Sequence, residues 1–233
     1  MTKNKRWLLA FFSILSLIAI FLTLLVSLTH STILKIFEVK TVPSDWHEVY
    51  NGYGSVTYSQ SQGILIEPKT ASAPLETHSG LLLAKITEQK PLKDFMALIQ
   101  VSTEEQLRIP NPNPWEVFWL FFNHSFDSKQ DSVTNYLTIK PNGIELGKAY
   151  NRVKQVVMLT QSFPTLTIGK IYTLTLIKIG THVDLLMDGN PVLNYSAVSG
   201  GETLFNNPGA IGLYTEDARV HIYKIEIVPL NVI

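Results

Sequence analysis

Trp7 to Thr29 reads WLLAFFSILSLIAIFLTLLVSLT, 23 consecutive residues without a formal charge. A helix of that length measures roughly 35 Å, enough to cross a hydrocarbon layer of about 30 Å with some tilt. Lys3, Lys5 and Arg6 stand just before it. By the positive-inside rule they place the N-terminus in the cytoplasm and the bulk of the chain outside. A cleaved signal peptide is the competing reading, but its apolar core runs to about 7–15 residues and ends at a small-x-small site. Here the run is longer, and Ser27-Leu28-Thr29 is a poor substitute for that site. An uncleaved signal anchor is therefore expected. It carries no charge and no G-x-x-x-G, so nothing in it points to a channel or a dimerising span. The expected organisation is a cytoplasmic tail at 1–6, a transmembrane anchor at 7–29, a stalk at 30–43 and an extracytoplasmic domain at 44–233.

About 190 residues are ample for one two-layer core. Lys+Arg and Asp+Glu are equal at 19 each. Five of the bases and one of the acids fall in residues 1–40, which leaves residues 41–233 with 14 bases, 18 acids and a net charge of −4. A mildly acidic domain argues against a nucleic-acid partner. The chain has no cysteine, which excludes disulfides, thiol catalysis and Cys-based zinc sites.

Beyond the stalk there is no helical stretch of convincing length. Short β-rich runs alternate with turn signals. Strands are expected at Gly63–Glu67, Leu81–Ala84, Phe95–Val101, Trp115–Phe122, Tyr136–Lys140, Ile144–Leu146 and Val156–Leu159. Tyr172–Ile179 and His182–Met187 form a hairpin through Gly180-Thr181. Asp188-Gly189-Asn190-Pro191 then turns the chain into Val192–Tyr195. In the last strand, Arg219–Val228, the apolar residues change phase: Val220 and Ile222 on one parity, Tyr223, Ile225 and Ile227 on the other. A bulge, or cover on both faces, accounts for that. Arg108–Pro114, RIPNPNP, is a loop. About a dozen such strands make an all-β, two-sheet sandwich.

The stretches DLLMDGNPVLNYS and PGAIGLYTEDARVHIYKIEI resemble the concanavalin A-like lectin/glucanase superfamily, which includes laminin-G-like domains. NYLTIKPNGIELGKA is similar to its bacterial members. The resemblance covers roughly Trp46 to Val228, and its specific part is the last 60 residues. It implies a jelly roll of about 12–14 strands and a glycan ligand on a concave sheet, although a fold hosts many functions. The superfamily's catalytic strands, E-x-D-x-x-E in glucanases, R-x-E-x-R and Q-x-H in alginate lyases, are absent from this sequence.

Glu116 lies in an otherwise apolar run between Trp115 and Trp119. A carboxylate there needs a partner or an open groove. It reads either as a ligand-binding or acid group, or as a strand-end acid meeting water or a lysine. Trp119 stacks on a pyranose ring or packs in the core. Lys140 and Glu145 reach the same face as Glu116, or form a solvated edge pair worth under about 1 kcal/mol. Asn135, Tyr136, Tyr150, Asn151 and Arg152 are residue types that line sugar grooves. The candidate ligand site is therefore Glu116, Trp119, Tyr136, Lys140 and Glu145, and Glu116 and Glu145 are the candidate catalytic acids. The six histidines make no ligand pair, and no metal site is expected. Asp127 and Asp131, in SFDSKQDS, are the one candidate calcium loop, but they lack the alternating acids and the glycine of a dedicated site, so no calcium is expected there. Asn123-His-Ser125 and Asn194-Tyr-Ser196 fit the N-glycosylation pattern.

Three functions fit these features: a membrane-tethered carbohydrate-binding, lectin-like module; a glycoside hydrolase or lyase-like enzyme; or a structural, protein-binding envelope domain. No cofactor is implied.

Overall fold

The computed structural model describes residues 42–230, apart from 74, 128, 130, 152, 153 and 198–202. The expected anchor at 7–29, nearly all of the stalk and Arg152 lie outside the described residues. Among the described residues no helix is long and apolar enough to cross a membrane.

A 3-10 turn at Pro43–Asp45 leads into β1 (Trp46–Asn51), β2 (Ser55–Ser59), β3 (Gly63–Glu67) and β4 (Ser79–Ala84). A five-residue helix, α1 (Lys85–Gln89), precedes β5 (Phe95–Gln106), β6 (Phe118–Phe126), β7 (Ser132–Lys140), β8 (Gly143–Tyr150) and β9 (Lys154–Gln161). Then come β10 (Ile171–Ile179), β11 (His182–Met187), β12 (Asn190–Tyr195), β13 (Ala210–Glu216) and β14 (Ala218–Pro229). Sheet 1 has the order β1-β4-β13-β6-β7-β8-β9, and sheet 2 the order β12-β11-β10-β5-β14-β3-β2. Every pairing is antiparallel. The chain is an all-β two-sheet sandwich of jelly-roll type.

The core lies between the sheets. Leu82, Leu120, Phe122 and Leu146 of sheet 1 meet Ile66, Phe95, Ile99 and Leu176 of sheet 2. The turns follow the sequence. Gly180-Thr181 closes the β10–β11 hairpin with Ile179 opposite His182. Asp188 and Gly189 both have positive φ, 51° and 79°, with Met187 opposite Asn190. That is the geometry of a two-residue type I′ turn. In β14 the register slips between Ile222 and Lys224, so Tyr223 is the extra residue of a bulge. Val220, Ile222, Ile225 and Ile227 are then all buried. This explains the phase change, and cover on both faces is not its cause.

Two expectations need correction. The strand read at Trp115–Phe122 begins at Phe118 and runs on to Phe126. Asn123 sits in a bulge of that strand with φ 50°. Its side-chain amide donates to Leu92 O, Lys93 O and Asn207 O at 2.9–3.3 Å. Buried in this way, it is closed to glycosylation.

The β1–β2, β3–β4, β5–β6, β9–β10 and β13–β14 connections gather at one end of the sandwich. Lys69 N to Gly52 O, Ile109 N to Ala71 O and Leu107 N to Asp217 O lace four of them together, and Gly169 N to Thr103 O ties the β9–β10 connection to the end of β5. We call this the Arg108 end.

Candidate functional site

Strand alternation sends every second residue of sheet 1 outward. In β6, Phe118, Leu120 and Phe122 point into the core, so Trp119 and Phe121 point out. Tyr136 lies opposite Phe121, and Thr138 opposite Trp119. Glu145 lies opposite Thr138, Gly147 opposite Tyr136, and Gly143 opposite Lys140. Tyr214 of β13 lies opposite Trp119 on the other side. Four of the five expected ligand residues, Trp119, Tyr136, Lys140 and Glu145, therefore share one face.

Gly147 shapes this face. A Cβ there would stand 2.5 Å from Tyr136 Oη and 2.6 Å from its Cζ. Without one, the Tyr136 ring lies across β8, and its hydroxyl donates to Glu145 Oε1 at 2.8 Å. Lys140 Nζ donates to Glu145 Oε2 at 2.5 Å. Burial, then the Glu145 carboxylate, pushes the Tyr136 hydroxyl far above the usual phenol range. It stays protonated and remains a donor.

The rings make a continuous floor. Trp119 meets Tyr136 at 4.9 Å and the edge of Tyr214 at 6.0 Å, while Phe121 stacks on Tyr214 at 4.5 Å. Tyr214 Oη lies 3.1 Å from both Ser79 Oγ and Glu216 Oε2. Burial raises the pKa of Tyr214 and of Glu216, and neighbouring Asp217 and Glu116 push Glu216 further up. One polar margin is thus Lys140–Glu145 and the other is Ser79–Tyr214–Glu216.

The floor is mostly covered. Trp119 is 3% exposed and Tyr136 fully buried. Leu166 and Ile168, from the β9–β10 connection, pack against the cluster. Trp119 Nε1 donates to Trp115 O at 2.8 Å. Trp119 is therefore a support beneath the face rather than an open stacking platform. The half-buried polar groups of its margins are Ser79, Glu145, Tyr214 and Glu216.

Glu116 is elsewhere. It precedes β6, is fully buried, and its carboxylate accepts from Arg108 Nε, Asn113 Nδ2 and Asn113 N. Arg108 Nη2 donates to Asp217 Oδ2 at 2.5 Å and to Glu76 O at 2.9 Å. The Glu116 hydrogen bond holds the guanidinium pKa up against its own burial. One arginine thus ties three connections together through two buried carboxylates. The reading of Glu116 as a ligand or catalytic group gives way to this structural one. The reason is local: position 116 has the parity of the core-facing Phe118, so alternation directs it away from the face of Trp119, and the strand itself begins only at Phe118.

Among the described residues no other acid completes a catalytic pair with Glu145. Glu216 stands three strands away, about 14 Å by strand spacing. Glycosidase pairs stand roughly 5–9.5 Å apart.

The remaining candidates are structural. The Asn135 side chain is fully buried and exchanges hydrogen bonds with Phe205 N and O. Tyr150 packs edge-on against Phe205. Asn151 Nδ2 donates to Asp131 at 2.6 Å, and Asp127 accepts from Lys129 N and Asp131 N. Among the described residues no group of three His, Asp or Glu is gathered to hold a metal. Tyr214 and Glu216 escaped the sequence reading, although their alternation with Leu213 and Thr215 in GLYTE places both on one face of a strand.

No family model matches the chain, and no curated protein matches it. Solved structures do. A galectin-like protein of unknown function from Bacillus subtilis superposes with a TM-score of 0.59 at 14% identity, covering 83% of this chain and 95% of that one. The carbohydrate-binding module CBM66 from Bacillus subtilis gives 0.54 at 14%, covering 78% and 94%. The VIP36 exoplasmic/lumenal domain in its Ca2+/Man3GlcNAc-bound form gives 0.52 at 10%, covering 84% and 88%. At such identities the likeness is one of fold, a two-sheet antiparallel jelly roll.

Proposed function

We propose that this chain is a membrane-tethered, extracytoplasmic module that binds a glycan on the outward face of sheet 1. Its tether is the apolar run at 7–29, with the N-terminus in the cytoplasm. One observation carries the binding reading: Trp119, Tyr136, Lys140 and Glu145, scattered over 27 positions of sequence, meet on one face with Tyr214 and Glu216. Glu145 is the central group. An ionised carboxylate has about four lone-pair sites, and Tyr136 and Lys140 engage two. The others are free for sugar hydroxyls, while the two donors fix the carboxylate in place. The aromatic floor supplies an apolar backing. Two proteins sharing the fold, a carbohydrate-binding module and a Man3GlcNAc-bound lumenal domain, support the reading.

A glycan array probed with the full chain in lipid nanodiscs tests this. Reproducible hits of one glycan class are expected. Silence across the array and a panel of microbial and plant polysaccharides would refute it. One observation favours a second reading, a structural or protein-binding envelope domain: the near-complete burial of Trp119 and Tyr136. A silent array would leave that account standing.

A further inference from the structure

Large apolar side chains exposed at the surface are not spread evenly over this domain. Among the described residues ten are exposed, and six of them, Tyr53, Leu75, Ile109, Trp115, Phe163 and Ile171, stand at the Arg108 end, 43–98% exposed. Each lies on a connection or at the first residue of a strand there. Single exposed apolar residues need no explanation, but a cluster of them does.

The collar is held, not loose. Arg108 joins the β3–β4 connection to the β5–β6 connection through Ala73 O, Glu76 O and Glu116. The Tyr53 ring packs edge-on against His78 at 5.6 Å. The carboxylates at this end are held by partners, and Glu67 and Glu105 share Arg219. Glu76 is turned onto the amides of Ser72 and Ala73, Glu116 and Asp217 are buried on Arg108, and Asp188 caps Thr173 N. Lys69 and Lys170 are exposed beside the apolar tips.

We infer that the Arg108 end docks on a lipid surface, its apolar loop tips entering the headgroup layer and Lys69 and Lys170 facing anionic headgroups. Aromatic and aliphatic tips next to lysines are what a membrane–water boundary accommodates. A flat protein partner would call for a continuous face instead of separate loop ends. The choice of lipid rests on the anchor reading of residues 7–29. The chain from Thr29 to Trp46 extends to at most about 60 Å. β1 carries the chain from Trp46 to Tyr53 over only about 25 Å. The tether is therefore long enough to let the collar meet the bilayer that holds the anchor.

The chain lacks cysteine, so single labels are clean. Leu75→Cys and Phe163→Cys report on the collar, and Phe126→Cys, exposed at the opposite end, is the control. Each full chain is labelled with an NBD fluorophore and reconstituted in phosphatidylcholine–phosphatidylglycerol vesicles, with or without doxyl-labelled lipid. The inference expects blue-shifted emission and doxyl quenching at 75 and 163, and neither at 126. If the chain does not float with vesicles, the anchor reading and this inference both fall. Flotation with aqueous, unquenched labels at 75 and 163 overturns the docking alone. A blue shift that doxyl lipid leaves unquenched, and that grows with protein density, assigns the collar to a second copy and also overturns it.

Discussion

Lys178 makes the stability of this domain rise with pH in a range where most proteins are losing it. Its side chain is fully buried at the end of the sandwich away from Arg108. Nζ donates to Lys93 O at 2.6 Å and Asn206 Oδ1 at 2.9 Å, and Asp94 is 3.7 Å away. Burial pulls its pKa down to about 8, and Asp94 offsets only part of that. The unfolded chain keeps a lysine near 10.4. Between these values the unfolded state holds a proton that the folded state has released, so stability increases with pH. The gain from pH 8 to pH 10 integrates to about 2 kcal/mol. For a domain of this size that is a Tm rise of roughly 4–8 °C. Below pH 8 the cost of the buried charge is fully present. Above about pH 10 unfolded tyrosines ionise. Tyr58, pushed up to about 12, and Tyr136 and Tyr214 do not, so stability then falls. Urea unfolding followed by tryptophan fluorescence from pH 7 to 10.5 reads this directly. Lys178→Met should abolish the rise between pH 8 and 10. A flat wild-type profile, or a rise that survives in Lys178→Met, would refute the reasoning.

Three further predictions concern the face and its supports. Gly147→Ala drives a Cβ to 2.5 Å from Tyr136 Oη and 2.6 Å from Val156 O. Overpacking of that kind costs about 1–3 kcal/mol, so thermal unfolding should shift down by roughly 2–12 °C; an unchanged Tm would contradict the placement of Tyr136. Glu116→Ala leaves Arg108 short of a buried partner and should destabilise by about 3–5 kcal/mol, with the glycan affinity of the folded fraction unchanged. A Glu116→Ala protein of wild-type stability that no longer binds would return Glu116 to the site. Chelation by EDTA should leave glycan binding intact, because Asp127 and Asp131 are engaged by amide groups; loss of binding would point to calcium.

Most of the sandwich was legible because its strands alternate and its turns carry glycine. Gly63–Glu67 and His182–Met187 match β3 and β11 residue for residue. The phase change in the last strand marked a bulge. β1 and β2 were not read, since WHEVYN and SVTYS are short and polar edge strands with little outward sign of a buried face. The face was legible in part: Lys140 and Glu145 flank a tight turn and had to come together. Glu116 was misplaced although its spacing was readable: it stands three residues before Trp119, and alternation puts such a pair on opposite faces; only its pairing with Arg108, set by the proline-rich loop, has no local pattern. Trp119 was placed on the right face, but its burial depends on Leu166 and Ile168, some 50 residues away in sequence.

The central claim, that the outward face of sheet 1 is a glycan site built around Glu145, is tested most directly by titration calorimetry. The array-selected glycan is titrated into the full chain in nanodiscs, before and after Glu145→Gln. Hydrogen bonds to a charged group contribute about 1.5–3 kcal/mol, so the account predicts a loss of affinity of roughly ten- to hundredfold, with the fold retained. An affinity unchanged by Glu145→Gln in a folded protein would place the ligand elsewhere and contradict the account.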